Sequence, residues 1–451
     1  MVTESLAANA DSRPDGTALV HGDERICHRE LLERVERLAH GLSARGVAPG
    51  DAVAVMLPAG PAFVTAFLAV TGLGAIVVPL NPQFKPDERD FCLRACDAHE
   101  VIADERTVAE LIEAHPARRL EPRAPGETAV YQFSSGSTGR PKRLGRTHGQ
   151  LAAEADSYSF IWPGDRIFCA VPLFHTYGMG CCLIAAVSRA ATLVILDEPH
   201  PFVLRRGRAL ELLEREHITV FPGVPLQFRH LADAPQEADL SSLRLCFSAG
   251  TALPRETFHA FRDRFGVPVR DLYGCTEAGT LTADLDREPV VGSAGKPVGD
   301  VEVRVEDGEI AVRSPAMTLG YSGMDELNRR AFRDGWFMTG DLGRLDADGR
   351  LFVTGRKKLL IEVAGHKVDP IEVEDVVLAH PGVREAVVVG VANGRDESVK
   401  AVVVAGDGCG ERDVIEFCRE RLANFKVPQV VEFREEIPRS PLGKVLRKYL
   451  V

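Results

Sequence analysis

The sequence lacks several features by which functional classes are recognised. It has 54 lysines and arginines against 65 aspartates and glutamates, a net charge of −11. A nucleic-acid partner would require a basic face, so this balance argues against one. The ten cysteines include no CxxC pair, and the nearest approach to one, Cys92 and Cys96, does not have the context of a zinc site. Unpaired thiols with apolar neighbours instead indicate a reducing, cytoplasmic location.

The sequence also predicts neither a signal peptide nor a membrane span. Residues 1–16 are acidic and polar without an apolar core, so we expect no signal peptide. Residues 52–84 carry no charge and are numerous enough to cross a bilayer. Prolines and glycines divide this run into short pieces, however. The run therefore favours two buried strands, AVAVML and AIVVPL, around a helix over a membrane span.

A chain of 451 residues is too long for one hydrophobic core, so we expect at least two domains. Apolar strand-like runs alternate with helical patterns up to about residue 271, which predicts parallel sheets covered by helices. The predicted strands are 52–57, 75–80, 99–103, 166–171, 191–196, 218–221, 243–248 and 268–271. The predicted helices are 61–71, 86–96, 148–157, 178–188, 204–216, 225–233 and 254–265.

The pattern changes after about residue 290. An Asp-Gly turn joins the two strands of VEVRVEDGEIAVRSP, and DLGRLDADGRLFVTGR is a second strand–turn–strand pair. The last ninety or so residues then predict a compact α+β unit of their own. The sequence thus predicts an α/β fold in which a large N-terminal domain, 1–357, combines layered parallel sheets with a β-rich module. A small mobile C-terminal α+β domain, 358–451, follows the GRKK stretch.

A short run of Gly, Ser and Thr, SSGSTGRPK, follows the predicted strand ETAVYQF. Backbone N–H groups in such a loop can point into one concavity and bind phosphate oxygens, and Arg140 and Lys142 add positive charge. The run matches neither GxxxxGK[ST] nor GxGxxG. A flexible linker is the usual explanation of Gly/Ser runs, so both alternatives remain open for this loop alone.

Three further stretches contain residues suited to a nucleotide site. In DLYGCTEA, Tyr273 offers a flat face to a base and Glu277 a carboxylate to a hard divalent cation. In FMTGDLGR, Asp341 could accept hydrogen bonds from a ribose diol. Lys444 stands after Pro and Gly in the basic tail PRSPLGKVLRKYL. Taken alone, FMTGDLGR is equally typical of an ordinary turn, DLYGCTEA is more typical of a loop, and Lys444 is more typical of a solvated charge.

Taken together and in this order, these stretches resemble the adenylate-forming superfamily of acyl- and aryl-CoA synthetases, luciferase-like enzymes and nonribosomal peptide synthetase adenylation domains. The matching motifs are SSGSTGRPK, PLFHTYG, SAGTALP, LYGCTEA, TGDLGRLDADG, GRKKLLIEVAGHKVDPIEVE and PRSPLGK. The resemblance implies an enzyme that uses ATP and Mg²⁺ to convert a carboxylic acid into an acyl-AMP. It then implies transfer of the acyl group to the thiol of coenzyme A.

The resemblance also implies roles for the matching residues. The loop around the ATP phosphates comprises Ser134, Ser135, Gly136, Ser137, Thr138, Gly139 and Lys142. The adenine site comprises Gly250, Thr251, Ala252, Asp271, Tyr273 and Gly274. Thr276 contacts the α-phosphate and Glu277 holds Mg²⁺, and both count as catalytic candidates. Asp341, assisted by Arg356, takes the ribose hydroxyls.

Two lysines have distinct roles in the implied chemistry. Attack of the carboxylate on the α-phosphorus releases pyrophosphate, and Lys444 would stabilise the charge that develops there. A pantetheine thiol must then enter the space that Lys444 occupies. The resemblance implies that the C-terminal domain rotates about Lys358 between the two steps, which is a hinge motion.

The stretch VPLFHTYGMG indicates which class of carboxylic acid the enzyme would activate. Amino-acid adenylation domains carry an aspartate here that pairs with the substrate amine, whereas this sequence has His175, as luciferase-like enzymes and acyl- or aryl-CoA ligases often do. An aryl or aliphatic acid is therefore favoured over an α-amino acid, with His175 as a catalytic candidate. The candidate pocket walls are His175, Tyr177, Met179, Gly180, Ser248 and Cys275, for each of which a structural role remains open.

The acceptor and the reaction class have alternatives. The stretch GHKVDPIEVE, with Pro370, resembles CoA ligases more than peptide synthetase modules, and we expect no fused carrier domain after Lys444. The alternative is therefore a stand-alone enzyme that transfers the acyl group to the phosphopantetheine of an acyl carrier protein or to an amine. A non-catalytic nucleotide-binding protein is disfavoured because the catalytic set is retained. A kinase-like phosphotransferase would release ADP instead of pyrophosphate. The sequence does not define the oligomeric state.

Overall fold

The computed structural model describes residues 2–134, 141–196, 201–363, 366–393, 396–406, 408–440 and 445–451. The chain divides into two compact units. The first comprises Met1–Arg304, Ala311–Met338 and Asp346–Leu351, and the second comprises Val305–Ile310, Thr339–Leu345 and Phe352–Val451. The domain boundary at residues 357 and 358 stays a prediction.

The strands are short and mostly apolar. They are β1 (Thr17–His21), β2 (Glu24–Cys27), β3 (Ala52–Val55), β4 (Ile76–Pro79), β5 (Ala98–Ile102), β6 (Thr128–Ser134), β7 (Lys142–Thr147), β8 (Arg166–Cys169), β9 (Thr192–Ile195), β10 (Val220–Gly223), β11 (Leu245–Ser248), β12 (Val269–Cys275), β13 (Gly279–Ala283), β14 (Lys296–Pro297), β15 (Glu302–Glu306), β16 (Glu309–Arg313), β17 (Phe332–Arg333), β18 (Trp336–Leu345), β19 (Leu351–Arg356), β20 (Ile361–Val363), β21 (His366–Val368), β22 (Val383–Asn393), β23 (Asp396–Ala405) and β24 (Val430–Phe433).

The helices lie mainly where the sequence pattern predicts them. They are α1 (Val2–Ser12), α2 (His28–Ala44), α3 (Pro61–Leu73), α4 (Pro86–Cys96), α5 (Glu105–Ala114), α6 (His148–Asp156), α7 (Thr176–Gly178), α8 (Ala185–Arg189), α9 (Phe202–Arg215), α10 (Pro225–Ala232), α11 (Arg255–Phe265), α12 (Asp325–Ala331), α13 (Pro370–Leu378) and α14 (Glu411–Arg419). The predicted helix 178–188 begins earlier, and a π-helical turn, Met179–Ile184, separates α7 from α8. The pattern does not predict α1 or α5, because α1 mixes alanine with polar residues and α5 buries only Val108.

A nine-stranded sheet runs through the first unit in the order β14-β13-β12-β11-β10-β8-β9-β1-β2. The strands from β12 to β1 are parallel to one another. At one end of the sheet β13 is antiparallel to β12 and β14 is antiparallel to β13, and at the other end β2 is antiparallel to β1. Strands β8 to β11 are almost continuously buried, as expected for parallel strands covered on both faces. Their core contains a chain of aromatic contacts through Phe168, Phe221, Phe228 and Phe261.

A second sheet of the first unit has the order β5-β3-β4-β6-β7, with β7 antiparallel to β6. The uncharged run forms β3, α3 and β4, and every residue of α3 from Phe63 to Gly72 is buried. The predicted strand–helix–strand arrangement of residues 52–84 is therefore confirmed. Within the described part of the chain, no helix is both long and apolar enough to cross a membrane.

The second unit is a small α+β structure, as predicted. Strand β23 lies between β22, which is antiparallel to it, and β24, which is parallel. Helices α13 and α14 pack on this sheet, and Val373 of α13, Val414 of α14 and Val399 of β23 belong to one apolar core. The predicted Asp-Gly turn joins β15 to β16, with φ of +49° at Asp307 and +80° at Gly308. Positive φ at both positions is typical of the two-residue hairpin turn.

Candidate active site

The carboxyl ends of three parallel strands meet at one edge of the nine-stranded sheet. Gly223 at the end of β10 pairs with Ser248 at the end of β11, and Ser248 pairs with Asp271 in β12. The predicted adenine segment, residues 250–252, follows β11 directly and is exposed. Gly250 has a φ of +89°, which favours glycine. Ligands of α/β folds bind in such a crevice beyond the carboxyl ends of strands.

The turn of the LYGCTEA motif connects β12 to β13 and contains two of the catalytic candidates, Thr276 and Glu277. A Cβ atom at Gly274 would lie 2.5 Å from the carbonyl oxygen of Gly279. Glycine is therefore required there for close approach of the two strands. Tyr273 is half-buried and faces Thr282 across the pair.

Asp271 has a perturbed acidity. Burial, reinforced by the nearby carboxylate of Asp284, raises the pKa of Asp271 to about 8. Burial raises the pKa of Asp284 as well. At neutral pH the Asp271 side chain is therefore largely protonated, and it can both donate and accept a hydrogen bond. An adenine edge presents one donor and one acceptor side by side, which matches this pattern.

Glu277 is buried, with 9% of its surface exposed. The hydroxyl of Tyr321 donates a hydrogen bond of 2.7 Å to its Oε1, and its backbone carbonyl accepts one of 2.7 Å from the N–H of Thr318. No group of three or more His, Cys, Asp or Glu in the described ranges could hold a metal by itself. Mg²⁺ commonly binds through one or two carboxylates together with substrate phosphates. A single hard carboxylate oxygen at Glu277 fits that mode.

The predicted phosphate loop connects β6 to β7, which pair as a hairpin. Ser134 at the end of β6 pairs with Lys142 at the start of β7. The Nζ of Lys142 lies 4.7 Å from the ring centroid of Tyr321. The loop residues Ser135, Gly136, Ser137, Thr138 and Gly139 lie outside the described residues. Lys142 and Glu277 thus contact the same tyrosine, one at its ring and the other at its hydroxyl.

The PLFHTYG motif forms the start of α7. His175 is exposed, and its Nδ1 accepts a hydrogen bond of 3.3 Å from the N–H of Tyr177. The hydroxyl of Tyr177 donates to the carbonyls of Gly223 and Phe247, at 3.1 and 3.2 Å. Burial raises the pKa of Tyr177 well above its usual value. Tyr177 therefore ties this short helix to the ends of β10 and β11.

The remaining pocket candidates are mostly enclosed. Met179 is fully buried, and the Nε2 of Gln132 lies 3.8 Å from its sulfur. Ser248 is fully buried, and its hydroxyl has no hydrogen-bond partner within the described ranges. Cys275 is partly exposed. The hydroxyl of Ser248 is therefore a buried polar group at the strand end without a hydrogen-bond partner among the described residues.

Gly180 contacts a buried polar cluster. A Cβ atom there would lie 2.4 Å from Glu154 Oε1 and 2.6 Å from the Tyr158 hydroxyl. Glu154 forms an ion pair of 2.6 Å with Arg146, and both side chains are almost completely buried. The Tyr158 hydroxyl donates to Glu154 at 2.9 Å and lies 3.0 Å from the hydroxyl of Thr280. Through Thr280, this cluster contacts β13, the strand that follows Glu277.

The second unit contains the predicted ribose pair. Arg356 Nε donates to Asp341 Oδ1 at 2.5 Å, and Asp341 is buried whereas Arg356 is about half exposed. Glu309 accepts from the N–H of Gly340 at 3.0 Å and pairs with Lys357 at 2.8 Å. The hinge candidate, Lys358, lies in the 3₁₀ turn Lys357–Leu359. Its side chain and all of Lys444 lie outside the described residues.

Two family models match the chain. The AMP-binding enzyme model matches residues 6–322, and the model of the AMP-binding enzyme C-terminal domain matches residues 372–444. The chain belongs to the AMP-binding enzyme family. The predicted family and fold class are therefore confirmed, as is the predicted reaction class, an AMP-forming acid–CoA ligase.

Known relatives of this AMP-binding enzyme match it along almost the whole chain. A feruloyl-CoA synthase from Amycolatopsis sp is 35% identical over 477 residues, which cover 96% of this chain and 95% of the relative. A crystal structure of an anthranilate CoA ligase in complex with anthranoyl-AMP is 28% identical with a TM-score of 0.89, covering 100% and 96% of the two chains. O-succinylbenzoate coenzyme A synthetase from Bacillus subtilis, in complex with ATP and magnesium ion, is 29% identical with a TM-score of 0.88, covering 99% and 98%.

The sequence motifs of this AMP-binding enzyme do not include every residue that shapes the site. Tyr321 contacts Glu277 and Lys142, Glu309 holds Gly340 and Lys357, and Glu154 contacts Gly180. In the sequence, Tyr321 is indicated by the stretch TLGYSG, which places an aromatic residue between two turn-forming glycines. Neither glutamate had a local signal, because its partners are distant in the sequence.

Proposed function

We propose that this ligase activates an aromatic carboxylic acid without an α-amino group and transfers the acyl group to coenzyme A in the cytoplasm. The observation that carries the proposal is that Glu277, in the turn after the Asp271 strand β12, and Lys142, at the start of β7, both contact Tyr321. His175 stands where an amino-acid enzyme would need a carboxylate. Relatives named for ferulate and for anthranilate support an aromatic acid.

In the first step, a carboxylate oxygen of the acid attacks the α-phosphorus of ATP. The bond from the α-phosphorus to the bridging oxygen breaks, so pyrophosphate leaves and a mixed anhydride with AMP forms. Mg²⁺, when bound, would neutralise part of the phosphate charge. Glu277 would hold that ion, Thr276 would donate to the α-phosphate, and Lys142 would hold the leaving phosphates together with the Ser134–Gly139 loop. Asp271 and Tyr273 would orient the adenine, and Asp341 with Arg356 would orient the ribose.

In the second step, the thiolate of coenzyme A attacks the acyl carbon. The bond from that carbon to the AMP oxygen breaks, the thiol proton passes to solvent, and AMP leaves. Lys444 would serve the first step and would have to withdraw before the second. Rotation of the second domain about Lys358 would remove it and is part of the proposal.

The proposal is tested by acid-dependent exchange of pyrophosphate into ATP with a panel of acids. We expect benzoates or hydroxycinnamates to support exchange at least tenfold faster than long-chain aliphatic acids, and α-amino acids to support none. Glu277→Gln should abolish exchange, whereas Glu288→Gln, at an exposed glutamate of the same unit, should leave it unchanged. Release of ADP in place of pyrophosphate would contradict the proposal.

Mass spectrometry of the products identifies the acceptor. The purified enzyme would be supplied with ATP, an active acid and either coenzyme A or a phosphopantetheinylated carrier protein. We expect a mass increase on coenzyme A. Acylation of the carrier alone would replace the acceptor in the proposal and retain the first step.

A further inference from the structure

Tyr321 lies between two residues of the proposed site and has not yet been given a function. Its hydroxyl donates to Glu277 Oε1 at 2.7 Å, and Lys142 Nζ lies 4.7 Å from its ring centroid. The tyrosine and the glutamate are both buried, with 5% and 9% of their surfaces exposed. We infer that Tyr321 is a positioning residue that orients the Glu277 carboxylate for Mg²⁺ and couples it to the charge of Lys142. This inference rests on the proposed function.

Several contacts fix the position of Tyr321. The side-chain amide of Asn328 accepts from the N–H of Tyr321 and donates to its carbonyl, both at 2.8 Å. Leu144 of β7 forms an isolated antiparallel bridge with Tyr321, and the ring of Phe332 packs edge-on at 6.0 Å. A Cβ atom at Gly320 would lie 2.9 Å from Asn328 Oδ1, so glycine leaves room for that amide. The hydroxyl is therefore held in place by its surroundings as well as by Glu277.

A hydrogen bond to one carboxylate oxygen fixes the rotation of the carboxylate about its last side-chain bond. The second oxygen is then directed to one place, which lowers the entropic cost of binding a cation there. Partners of this kind behind a metal ligand commonly change metal affinity by about 10–100-fold when they are removed. Because a hydroxyl is also a stronger donor when a cation lies over its ring, Lys142 reinforces the bond.

The test compares two tyrosines of the same region. Tyr321→Phe removes the hydroxyl that contacts Glu277 and keeps the ring. Tyr131→Phe makes the same change in β6, where the guanidinium of Arg143 also lies 4.7 Å from the ring centroid. The control thus reproduces the loss of a hydroxyl from a ring that faces a cation, without a contact to Glu277.

Metal binding is measured directly in the full-length enzyme. Mn²⁺ would be titrated in the presence of an ATP analogue with a methylene group between the α- and β-phosphates, and ternary-complex formation followed by water proton relaxation. We expect the Mn²⁺ dissociation constant to rise about tenfold for Tyr321→Phe and to stay within about twofold of the wild type for Tyr131→Phe. Equal constants for the two variants would overturn the inference.

A double-mutant cycle separates positioning from a general loss of structure. If Tyr321 acts through Glu277, Tyr321→Phe should not weaken Mn²⁺ binding further in a Glu277→Gln background. Additive losses in the double variant would overturn the inference, even if the single variant binds Mn²⁺ weakly. The cycle also remains decisive if Tyr321→Phe lowers the melting temperature.

The inference and the proposed function can fail separately. The Mn²⁺ titration requires no acid and no turnover, so it reports on Tyr321 whatever the substrate is. In active enzyme, the Mg²⁺ concentration for half-maximal pyrophosphate exchange should also rise about tenfold in Tyr321→Phe, with the KM of the acid unchanged. Lack of exchange by the wild type would refute the proposed function alone.

Discussion

Arg356 Nε donates a hydrogen bond of 2.5 Å to Asp341 Oδ1, within the second unit of the chain. A charge-assisted hydrogen bond of this kind contributes about 1.5–3 kcal/mol. It fixes the orientation of a carboxylate that is itself buried. The carboxylate would therefore be presented to a ribose diol without rearrangement.

Arg356→Gln should raise the KM for ATP about tenfold, because a loss of roughly 1.4 kcal/mol of positioning corresponds to that factor. The maximal exchange rate should change less. Steady-state kinetics at varied ATP concentration measure both. Arg344→Gln is the matched control, since Arg344 lies over the ring of Phe352 in the same unit. Equal KM values for the two variants would contradict a ribose role for the pair.

Asp271→Asn should change the pH dependence of stability. Because the pKa of Asp271 is raised to about 8, the folded protein keeps a proton that the unfolded chain loses near pH 4. The contribution of this carboxyl group to the free energy of unfolding is complete below about pH 4 and is lost as the pH rises towards 8. Asparagine has no proton to lose. The variant should thus melt a few degrees above the wild type at pH 8, and the difference should vanish near pH 4.

Thermal melts of the ligand-free enzyme between pH 4 and 9 measure this effect. Asp23→Asn, at an exposed aspartate in the turn between β1 and β2, provides the control and should leave the melting curve unchanged. Parallel pH profiles for wild type and Asp271→Asn would show that the carboxyl ionises with its ordinary acidity.

Gly180→Ala should lower the melting temperature of the ligand-free enzyme. The new methyl group would meet the Glu154 carboxylate at 2.4 Å inside a packed region, and such overpacking costs about 1–3 kcal/mol. Gly126→Ala is the control, because no atom lies within 4 Å of a Cβ built there. A stable Gly180→Ala enzyme with an altered acid preference would instead identify Gly180 as an open pocket wall.

Lys444→Ala should nearly abolish adenylation and spare the transfer of a supplied acyl-AMP to coenzyme A. The reason is that Lys444 is expected to stabilise charge only at the α-phosphate. Separate assays of pyrophosphate exchange and of thioester formation from synthetic acyl-AMP measure the two steps. Equal losses in both would contradict a rotation that removes Lys444 after the first step.

The sequence predicts most of the fold, because its signals are local. Alternating apolar runs and helical periodicity predict β8 to β12 and the helices between them, and the Asp-Gly pair predicts the hairpin at Asp307. Helix α5 is the opposite case, since a helix with one buried residue leaves almost no apolar stripe to detect. The sequence pattern also does not indicate which parallel strands belong to which sheet, because pairing partners are distant in the chain.

The candidate site is predictable to the extent that its residues belong to contiguous motifs. Thr276 and Glu277 are such residues, and so are Asp341 and Arg356, although their proposed roles remain predictions. The contact of Tyr321 with Glu277 spans 44 positions, and that of Glu154 with Gly180 depends on packing. The raised pKa of Asp271 also follows from burial beside Asp284, which no local pattern shows.

The Glu154 carboxylate limits two glycine positions at once. A Cβ atom at Gly279, where φ is +71°, would lie 2.8 Å from Glu154 Cδ, and one at Gly180 would lie 2.4 Å from Glu154 Oε1. Positions 154 and 180 should therefore vary together among homologues, with larger residues at 180 only where position 154 is small, whereas the positive φ keeps glycine at position 279. Libraries that aim to change acid preference should diversify codons 154 and 180 jointly, because changing one alone would mainly select against folding.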